Sequence, residues 1–213
     1  MTDYDLYAYE EKLYKMGIKY IAGIDEAGRG PLAGPVVAAA VILKPGSHLD
    51  LVDDSKKLSA AQRDKALIQI KENALAIGIG ICSVEEIDQI NIYRASKQAM
   101  ISAVKQLKIK PEFLLIDAMP IELSMPSESI IKGDQKSVSI AAASIVAKTT
   151  RDRYMLEMDK VFPEYGFAKH KGYGTKLHKE MLEKYGYTPI HRKSYEPIKS
   201  MVKAGIKPYE KTS

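Results

Sequence analysis

Two apolar runs separated by a glycine- and proline-rich segment dominate the first fifty residues. Ile21 and Ile24 belong to the first run, and the second extends over 36–43. This pattern predicts two strands joined by an irregular loop. Two acids, Asp25 and Glu26, stand at the carboxyl end of the first strand. Successive side chains of a strand point to opposite faces, so the two acids are predicted to reach one site only if the pleat breaks beside them.

Helical spacing begins after this pair of strands. Ser59 and Gln62 form a capping box for a helix whose Leu67, Ile70 and Ala74 share one face. The next apolar run predicts a strand over 76–84. A second helical region is predicted over 84–107, with a break near residue 91.

Two further short strands are predicted at 113–116 and 129–132. The run 138–147 is apolar on nearly all sides, which indicates a buried helix, and Ser137 is suited to cap it. Alternation of strands and helices favours a layered α/β fold with a partly parallel sheet. In such sheets ligands bind at the carboxyl ends of strands, where Asp25 and Asp117 are expected to lie.

Length and composition exclude several classes of protein. The 213 residues, 46% of them hydrophobic, fit one domain with room for an appended subdomain. The single cysteine, Cys82, lies in an apolar run and is interpreted as a buried strand residue that cannot form an internal disulfide. The acidic amino terminus does not resemble a signal peptide, and no run reaches the ~20 apolar residues that span a bilayer. A soluble, cytoplasmic protein is expected.

Positive charge is concentrated in the last third of the chain. Residues 148–213 hold 15 Lys and Arg against 8 Asp and Glu, although the whole chain carries a formal net charge of only +5. Seven of the thirteen tyrosines fall in the same segment. Basic groups with interleaved rings suit a nucleic-acid backbone, although an excess of this size is also typical of a solvated face.

The segment that joins the first two strands carries the strongest chemical signal. Asp25 and Glu26 offer the oxygen ligands that hard divalent cations prefer. Gly28, Arg29 and Gly30 follow, and they combine close backbone approach with a forked donor for phosphate. An isolated Asp-Glu pair is more often an ordinary turn, so the assignment depends on the rest of the chain.

The order of several motifs resembles the ribonuclease HII family, the type 2 ribonucleases H. The resemblance extends from about Lys19 to Pro197. The motifs that carry it, besides 20–35, are Asp54-Ser-Lys-Lys-Leu-Ser59, Asn91-Ile-Tyr-Arg-Ala-Ser96, Leu115-Ile-Asp-Ala118, Lys132-Gly-Asp-Gln-Lys-Ser137, 139–148 and Lys171-Gly-Tyr-Gly-Thr175. The related ribonuclease HIII usually has a different sequence around the glycine-arginine-glycine turn and carries an extra amino-terminal domain. The roughly eighteen residues before the first predicted strand are too few to form such a domain.

The resemblance implies the ribonuclease H-like fold, with a mixed five-stranded sheet flanked by helices. It divides the chain into a catalytic domain over 1–162 and a helical, basic, substrate-binding appendage over 163–213. It also implies four active-site acids: Asp25, Glu26, Asp117 and Asp134. From its own context Asp134 could equally cap the following helix, although Ser137 is available for that position.

Four converging carboxylates would repel one another and raise at least one pKa unless cations neutralise them. The expected cofactors are therefore two Mg²⁺ or Mn²⁺ ions held by the four acids, for two-metal hydrolysis that leaves 5′-phosphate and 3′-hydroxyl ends. The four histidines are not spaced as a metal cluster, and His170 and His178 are predicted at the surface.

The resemblance also implies substrate contacts. Tyr173 is expected to pack on the deoxyribose that follows the ribonucleotide, while the backbone of Gly28, Arg29 and Gly30 senses the 2′-hydroxyl. Ser55, Lys56 and Lys148 are weaker candidates for phosphate contacts.

The function predicted in this way is an endoribonuclease that cuts RNA in RNA–DNA hybrids and at single ribonucleotides in duplex DNA, for ribonucleotide removal and primer clearance. Two alternatives remain: a metal-dependent DNA nuclease of the same fold, and a catalytically silent hybrid-binding protein. The protein is expected to be a monomer without a membrane partner. The tail over 207–213 shows no clear sliding-clamp peptide.

Overall fold

The computed structural model of the protein describes residues 5–52, 55 and 58–209. Its helices are α1 (Ala8–Lys15), α2 (Ala60–Asn73), α3 (Val84–Ile90), α4 (Ile92–Lys105), α5 (Val138–Val161), α6 (Phe167–His170), α7 (Lys176–Tyr185) and α8 (Ile198–Lys203). Its strands are β1 (Ile21–Ala27), β2 (Val36–Leu43), β3 (Ala74–Cys82), β4 (Phe113–Asp117) and β5 (Ser127–Ile130). The predicted phosphate contact Lys56 and the last residues of the tail, 210–213, lie outside the described part.

The five strands form one mixed sheet in the order β3-β2-β1-β4-β5. β1 pairs antiparallel with β2 and parallel with β4, and β4 pairs parallel with β5. The carboxyl ends of β1, β4 and β5 therefore lie at the same edge of the sheet, and Asp25 and Asp117 stand at that edge. The predicted mixed five-stranded sheet is confirmed.

Helices cover both faces of the sheet. Ala22, Ile24 and alternate residues of β2 pack with α3 and α4 on one face, where Cys82 is also buried. On the other face, Ala39, Val41 and Leu43 of β2 pack against α2 and α5. All eight residues of β2 are buried because this strand lies inside the sheet with both faces covered.

Helix α5 approaches β1 more closely than a side chain would allow. A Cβ added at Gly23 would lie 2.0 Å from the carbonyl carbon of Ser139 and 2.4 Å from the backbone nitrogen of Ile140. Only glycine at this position lets the first turn of α5 lie directly on β1. Two residues farther along the strand, Asp25 is thereby held against the same helix.

Most predicted elements are present, but the boundaries of α2, β3 and the last strand were wrong. Ala74 does not extend α2; it caps that helix in extended conformation and begins β3, which ends at Cys82 instead of reaching 84. The last strand is Ser127–Ile130, because Lys132 adopts a left-handed conformation that ends extended structure. The break in the second helical region is confirmed at Asn91, whose φ is 69°. Ser137 caps α5, as predicted.

The segment after α5 contains three short helices joined by irregular chain. Its aromatic core includes Tyr165 and Phe167, which pack with Met155 of α5 and Ala33 of the β1–β2 loop. Residue 191 forms an isolated antiparallel bridge with Ala33. The division of the chain into a catalytic domain and an appendage at 162/163 stays a prediction.

Across the described residues, no helix combines the length and apolar character needed to cross a bilayer.

Candidate active site

A cavity of about 330 Å³ opens at the carboxyl ends of β1 and β4. Acidic, basic, hydroxyl and aromatic side chains line it together with the backbone of the β1–β2 loop. The lining residues are Asp25, Glu26, Ala27, Gly28, Arg29, Gly30, Ser55, Asp117, Ser144, Lys148 and Tyr173. Of the predicted site residues that the structure describes, all except Asp134 line this cavity.

Asp25 and Glu26 both reach the cavity, although the pleat of β1 does not break beside them. The prediction of such a break was wrong. The ladder between β1 and β2 continues unbroken through both acids to Ala27. Their side chains leave opposite faces of the sheet, and both meet the cavity because it lies at the very end of the strand. The backbone N–H of Glu26 donates to Oδ1 of Asp25 over 2.7 Å.

Burial and mutual repulsion disfavour negative charge on these acids. The pKa of Asp25 is raised well above its usual value, first by burial and then by the charges of Glu26 and Asp117. Burial also raises the pKa of Glu26, while Arg29, whose Nη1 lies 3.4 Å from Glu26 Oε1, opposes that rise. These effects place three carboxylates within electrostatic reach of one another.

Asp134 is buried beside the cavity but not in its wall. It belongs to a short 3₁₀ turn, Gly133–Gln135, between β5 and α5. The backbone N–H of Gly133 in this turn donates to Oδ1 of Asp117 over 2.7 Å. The turn therefore holds Asp117 in place and keeps Asp134 next to it.

The donor set fits a hard divalent cation. Carboxylate oxygens are the ligands that Mg²⁺ and Mn²⁺ prefer, and the buried Oε2 of Glu26 has no hydrogen-bond partner among the described residues. In the same part of the chain, no three Asp, Glu, His or Cys side chains stand close enough to ligate one ion as they are. One oxygen of each acid accepts a hydrogen bond, from a backbone N–H in Asp25 and Asp117 and from Arg29 in Glu26, so neighbouring groups orient all three side chains.

Two serines from distant segments support Asp25. Ser144 of α5 interacts with the carboxylate of Asp25 and lowers the pKa of the acid against the larger effect of burial. The hydroxyls of Ser144 and Ser55 are 2.8 Å apart, and both residues are buried. Ser55 therefore contacts Ser144, the residue that supports Asp25. The sequence did not lead us to predict Ser144 as part of the site.

A buried arginine that sequence reasoning also missed fixes the glycine-arginine-glycine loop. Nη1 of Arg192 donates to the carbonyl of Arg29, and its Nη2 donates to the carbonyls of Gly28 and Gly34. Because a trans peptide is planar, each N–H points away from the carbonyl of the same peptide unit. The backbone N–H groups of Arg29 and Gly30 therefore point away from Arg192 and are left oriented as donors.

A second buried arginine joins this loop to the loop that carries Tyr173. The guanidinium of Arg151 donates to the carbonyls of Ala33, Pro35 and Lys171. Burial, and then the charge of Arg192, lower the pKa of Arg151 to about 10, so it remains a cation at neutral pH. A Cβ on Gly28, whose φ is +100°, would lie 2.1 Å from Arg151 Nε. These two arginines hold the loops 28–35 and 171–173 as one unit.

Tyr173 presents its ring to the cavity from this second loop. Its side chain is 44% exposed, and Nζ of Lys148 lies 5.9 Å from the ring centroid. Lys148 also pairs with Asp152 over 2.7 Å, so its charge is partly neutralised. Tyr173 and the oriented N–H groups of the glycine-arginine-glycine loop stand on the same cavity.

A basic groove continues from the cavity along α5 and shares Lys148 with it. The groove has a volume of about 520 Å³. Five of its lining residues are cationic and two are acidic: Arg63, Lys148, Arg153, Lys169 and Lys171, and Asp64 and Asp152. A groove of this charge beside three carboxylates suits a chain of phosphates.

The predicted surface position of two histidines was wrong. His170 is only 7% exposed and His178 is fully buried, as is His191. The rings of His170 and His178 stack at 4.3 Å, and Nε2 of His178 lies 2.8 Å from Nε2 of His191. A sequence signal existed for His178, because it stands four residues before the buried Leu182 on the inner face of α7.

Comparison with known proteins identifies relatives over most of the chain. The model of the ribonuclease HII family matches residues 22–198. Ribonuclease HII of Bacillus cytotoxicus is 58% identical over 195 residues, which cover 92% of this chain and 75% of that protein.

Solved structures agree with the fold. Ribonuclease H2 from Pyrococcus horikoshii matches with a TM-score of 0.77 and 27% identity over 87% of this chain and 98% of that one. The ribonuclease HII in a PCNA complex from Archaeoglobus fulgidus gives 0.63 and 27%, covering 88% and 89%. Bst-RNase HIII in complex with Mn²⁺ gives 0.63 over 91% and 72%, and at 18% identity it supports the fold alone.

Proposed function

The chain belongs to the ribonuclease HII family and is an endonuclease of the ribonuclease H type, and we propose that it incises both RNA–DNA hybrids and duplex DNA at single ribonucleotides. Enzymes of this type depend on divalent metal ions and act on RNA–DNA hybrids. The observation that carries the finer proposal is one cavity in which carboxylates, oriented backbone donors and an exposed tyrosine ring meet.

We assign metal binding and catalysis to Asp25, Glu26, Asp117 and Asp134. When bound there, two Mg²⁺ or Mn²⁺ ions supply Lewis-acid activation of water and charge neutralisation at the leaving 3′ oxygen. Ser144 interacts with the carboxylate of Asp25, and the backbone N–H of Gly133 orients Asp117 by a hydrogen bond. The products carry 5′-phosphate and 3′-hydroxyl ends.

Selection of a ribonucleotide is assigned to the two loops that the buried arginines connect. The N–H groups of Arg29 and Gly30 are donors for a 2′-hydroxyl, which is the group that distinguishes RNA from DNA. Tyr173 offers a flat apolar surface to the neighbouring deoxyribose. The basic groove then receives the flanking phosphates, so the basic segment 163–213 contributes substrate binding through Lys169 and Lys171.

The protein acts in this proposal as a monomer in a reducing, cytoplasmic compartment. The single buried Cys82 is compatible with such a compartment. Its duties there are ribonucleotide removal and clearance of RNA primers.

We expect Tyr173→Ala to weaken incision at a single ribonucleotide more than cleavage of a continuous hybrid, because the first substrate offers only one junction. Loss of a stacked ring costs on the order of 1–3 kcal/mol, and Tyr173→Phe keeps the ring. Relative rates on the two substrates measure the effect. Tyr93→Ala is the matched control, since Tyr93 is 47% exposed on α4 and lies outside the cavity. Equal slowing on both substrates with a melting temperature lowered by several degrees would make Tyr173 a structural residue.

Hybrid affinity should fall steeply between low and moderate salt, because binding at the basic groove releases counterions from several phosphates. Removing one groove cation by Lys169→Ala should make the slope of log K against log salt shallower by about 1. Lys108→Ala is the control, because Lys108 is exposed near the opposite, amino-terminal end of β4. A salt-independent affinity, or equal effects of the two variants, would exclude the groove from the binding face.

A further inference from the structure

Two of the three buried histidines behind the Tyr173 loop, His178 and His191, make a hydrogen-bond chain whose direction can be derived. Nδ1 of His191 lies 2.9 Å from the backbone nitrogen of Thr188. A backbone N–H only donates, so Nδ1 of His191 must carry a lone pair. A neutral His191 then has its proton on Nε2.

The same reasoning passes to the next ring. Nε2 of His191 is 2.8 Å from Nε2 of His178, and it donates there because it holds the only proton of the His191 ring. His178 therefore accepts at Nε2 and carries its own proton on Nδ1. Nδ1 of His178 lies 2.9 Å from the carbonyl oxygen of Tyr173, to which it donates.

A proton added to either ring would break this order. A proton on Nδ1 of His191 would face the Thr188 N–H, and a proton on Nε2 of His178 would face the Nε2–H of His191. The environment favours the neutral rings: burial lowers the pKa of His178 to about 4 and that of His191 to about 3. Both rings are fully buried, so water does not compete for their nitrogens.

The chain ends on the residue that presents its ring to the cavity. The Tyr173 carbonyl accepts from Nδ1 of His178 and from the backbone N–H of Thr175 over 2.8 Å, so both lone pairs are used. The Tyr173 N–H donates to the carbonyl of His170. The peptide groups on both sides of Tyr173 are thus fixed while its ring stays 44% exposed.

We propose that His178 and His191 form a one-directional hydrogen-bond relay, ordered by Thr188, that positions Tyr173 for recognition of the ribonucleotide junction. The relay consists of positioning residues, since neither ring lines the cavity. This inference rests on the role proposed for Tyr173. Its direction predicts the Nδ1–H tautomer for His178 and the Nε2–H tautomer for His191.

Imidazole ¹⁵N chemical shifts of the full-length protein at neutral pH test the direction without any substrate. We expect a protonated Nδ1 and an unprotonated Nε2 on His178, and the reverse on His191. A proton on Nε2 of His178, or a cationic form of either ring, would overturn the relay.

A matched pair of variants tests its consequence. His191→Gln and His191→Leu both lose the Thr188 contact, but glutamine keeps a donor at the position of Nε2. We expect His191→Leu to lower the ratio of single-ribonucleotide to continuous-hybrid rates on the order of 10-fold, as for other residues that orient a contacting group. His191→Gln should restore most of this ratio.

A double-mutant cycle separates positioning from a general loss of stability. On a Tyr173→Ala background, His191→Leu should leave the substrate ratio unchanged, because its effect passes through Tyr173. Additive losses in the cycle would overturn the relay's role in positioning. If Tyr173→Ala itself left the ratio unchanged, the role proposed for Tyr173 would fail, whereas wrong tautomers beside a normal Tyr173→Ala effect would refute the relay alone.

Discussion

Asp25→Asn and Asp117→Asn are each expected to lower cleavage of an RNA–DNA hybrid roughly 10³-fold or more while hybrid binding stays measurable. A neutral amide is a poorer ligand for a hard cation, and loss of several kcal/mol of charge stabilisation corresponds to a rate loss of this size. Binding is retained because the basic groove is unchanged. Single-turnover rates and equilibrium binding of the same hybrid measure both quantities.

Stability gives this experiment its internal control. Asn keeps an oxygen for the N–H of Glu26 in the first variant and for that of Gly133 in the second. Because a raised pKa shows that folding disfavours the charged form of Asp25, Asp25→Asn should melt at the same or a higher temperature without divalent cations. Glu122→Gln, an exposed acid outside the cavity, is the matched control for activity. Near-normal turnover in either site variant would refute the assignment of these acids.

Gly23→Ala is expected to destabilise the protein by about 3 kcal/mol or more, the upper part of the range for overpacked cores. The added Cβ would meet the backbone of Ser139 at 2.0 Å, and a helix backbone cannot give way by a side-chain rotation. For a chain of this size, that loss corresponds to a melting temperature lower by roughly 6–12 °C. Activity should fall as well, because any shift of α5 separates Ser144 from Asp25.

Gly30→Ala provides the comparison for Gly23→Ala. A Cβ on Gly30 would come no closer than 3.9 Å to the ring of Tyr173, so the melting temperature should hardly change. The two alanines therefore separate packing of α5 on β1 from crowding in the cavity. An unchanged melting temperature for Gly23→Ala would show that α5 does not pack on β1 as closely as described.

The sequence predicted those features that depend on neighbouring residues. The strand pair around the β1–β2 loop follows from local apolar runs, and the break at Asn91 and the cap at Ser137 follow from residue types with known local preferences. The boundary at Ala74 failed because alanine suits both helix and the strand that follows. Tertiary pairing with Leu43 of β2 decides that position.

The features that sequence reasoning missed depend on partners far apart in the chain. Arg192 can be buried because its guanidinium donates hydrogen bonds to backbone carbonyls of the β1–β2 loop, which lie 158 to 164 residues away in the chain. The histidines are buried because Thr188 and the Tyr173 loop satisfy their nitrogens. A polar side chain leaves water only where such partners exist, and no local pattern encodes them.

The same limit explains what could be predicted of the site. Asp25, Glu26 and Asp117 stand at ends of strands that parallel pairing brings to one edge, so their convergence follows from topology. The pleat break predicted beside Glu26 is unnecessary, because a cavity at the end of a strand is open to both faces. Ser144 was missed because it lies inside an otherwise apolar run, where small residues are expected to serve packing.

Incubation of the protein with a DNA duplex that contains one ribonucleotide, with and without Mg²⁺ or Mn²⁺, tests the central claim most directly. We expect a single metal-dependent incision at the ribonucleotide, with a 5′-phosphate and a 3′-hydroxyl on the product ends, and no cut in the matching all-DNA duplex. Equal cutting of the all-DNA duplex, or binding of the single-ribonucleotide duplex without incision in either metal, would contradict the proposed function.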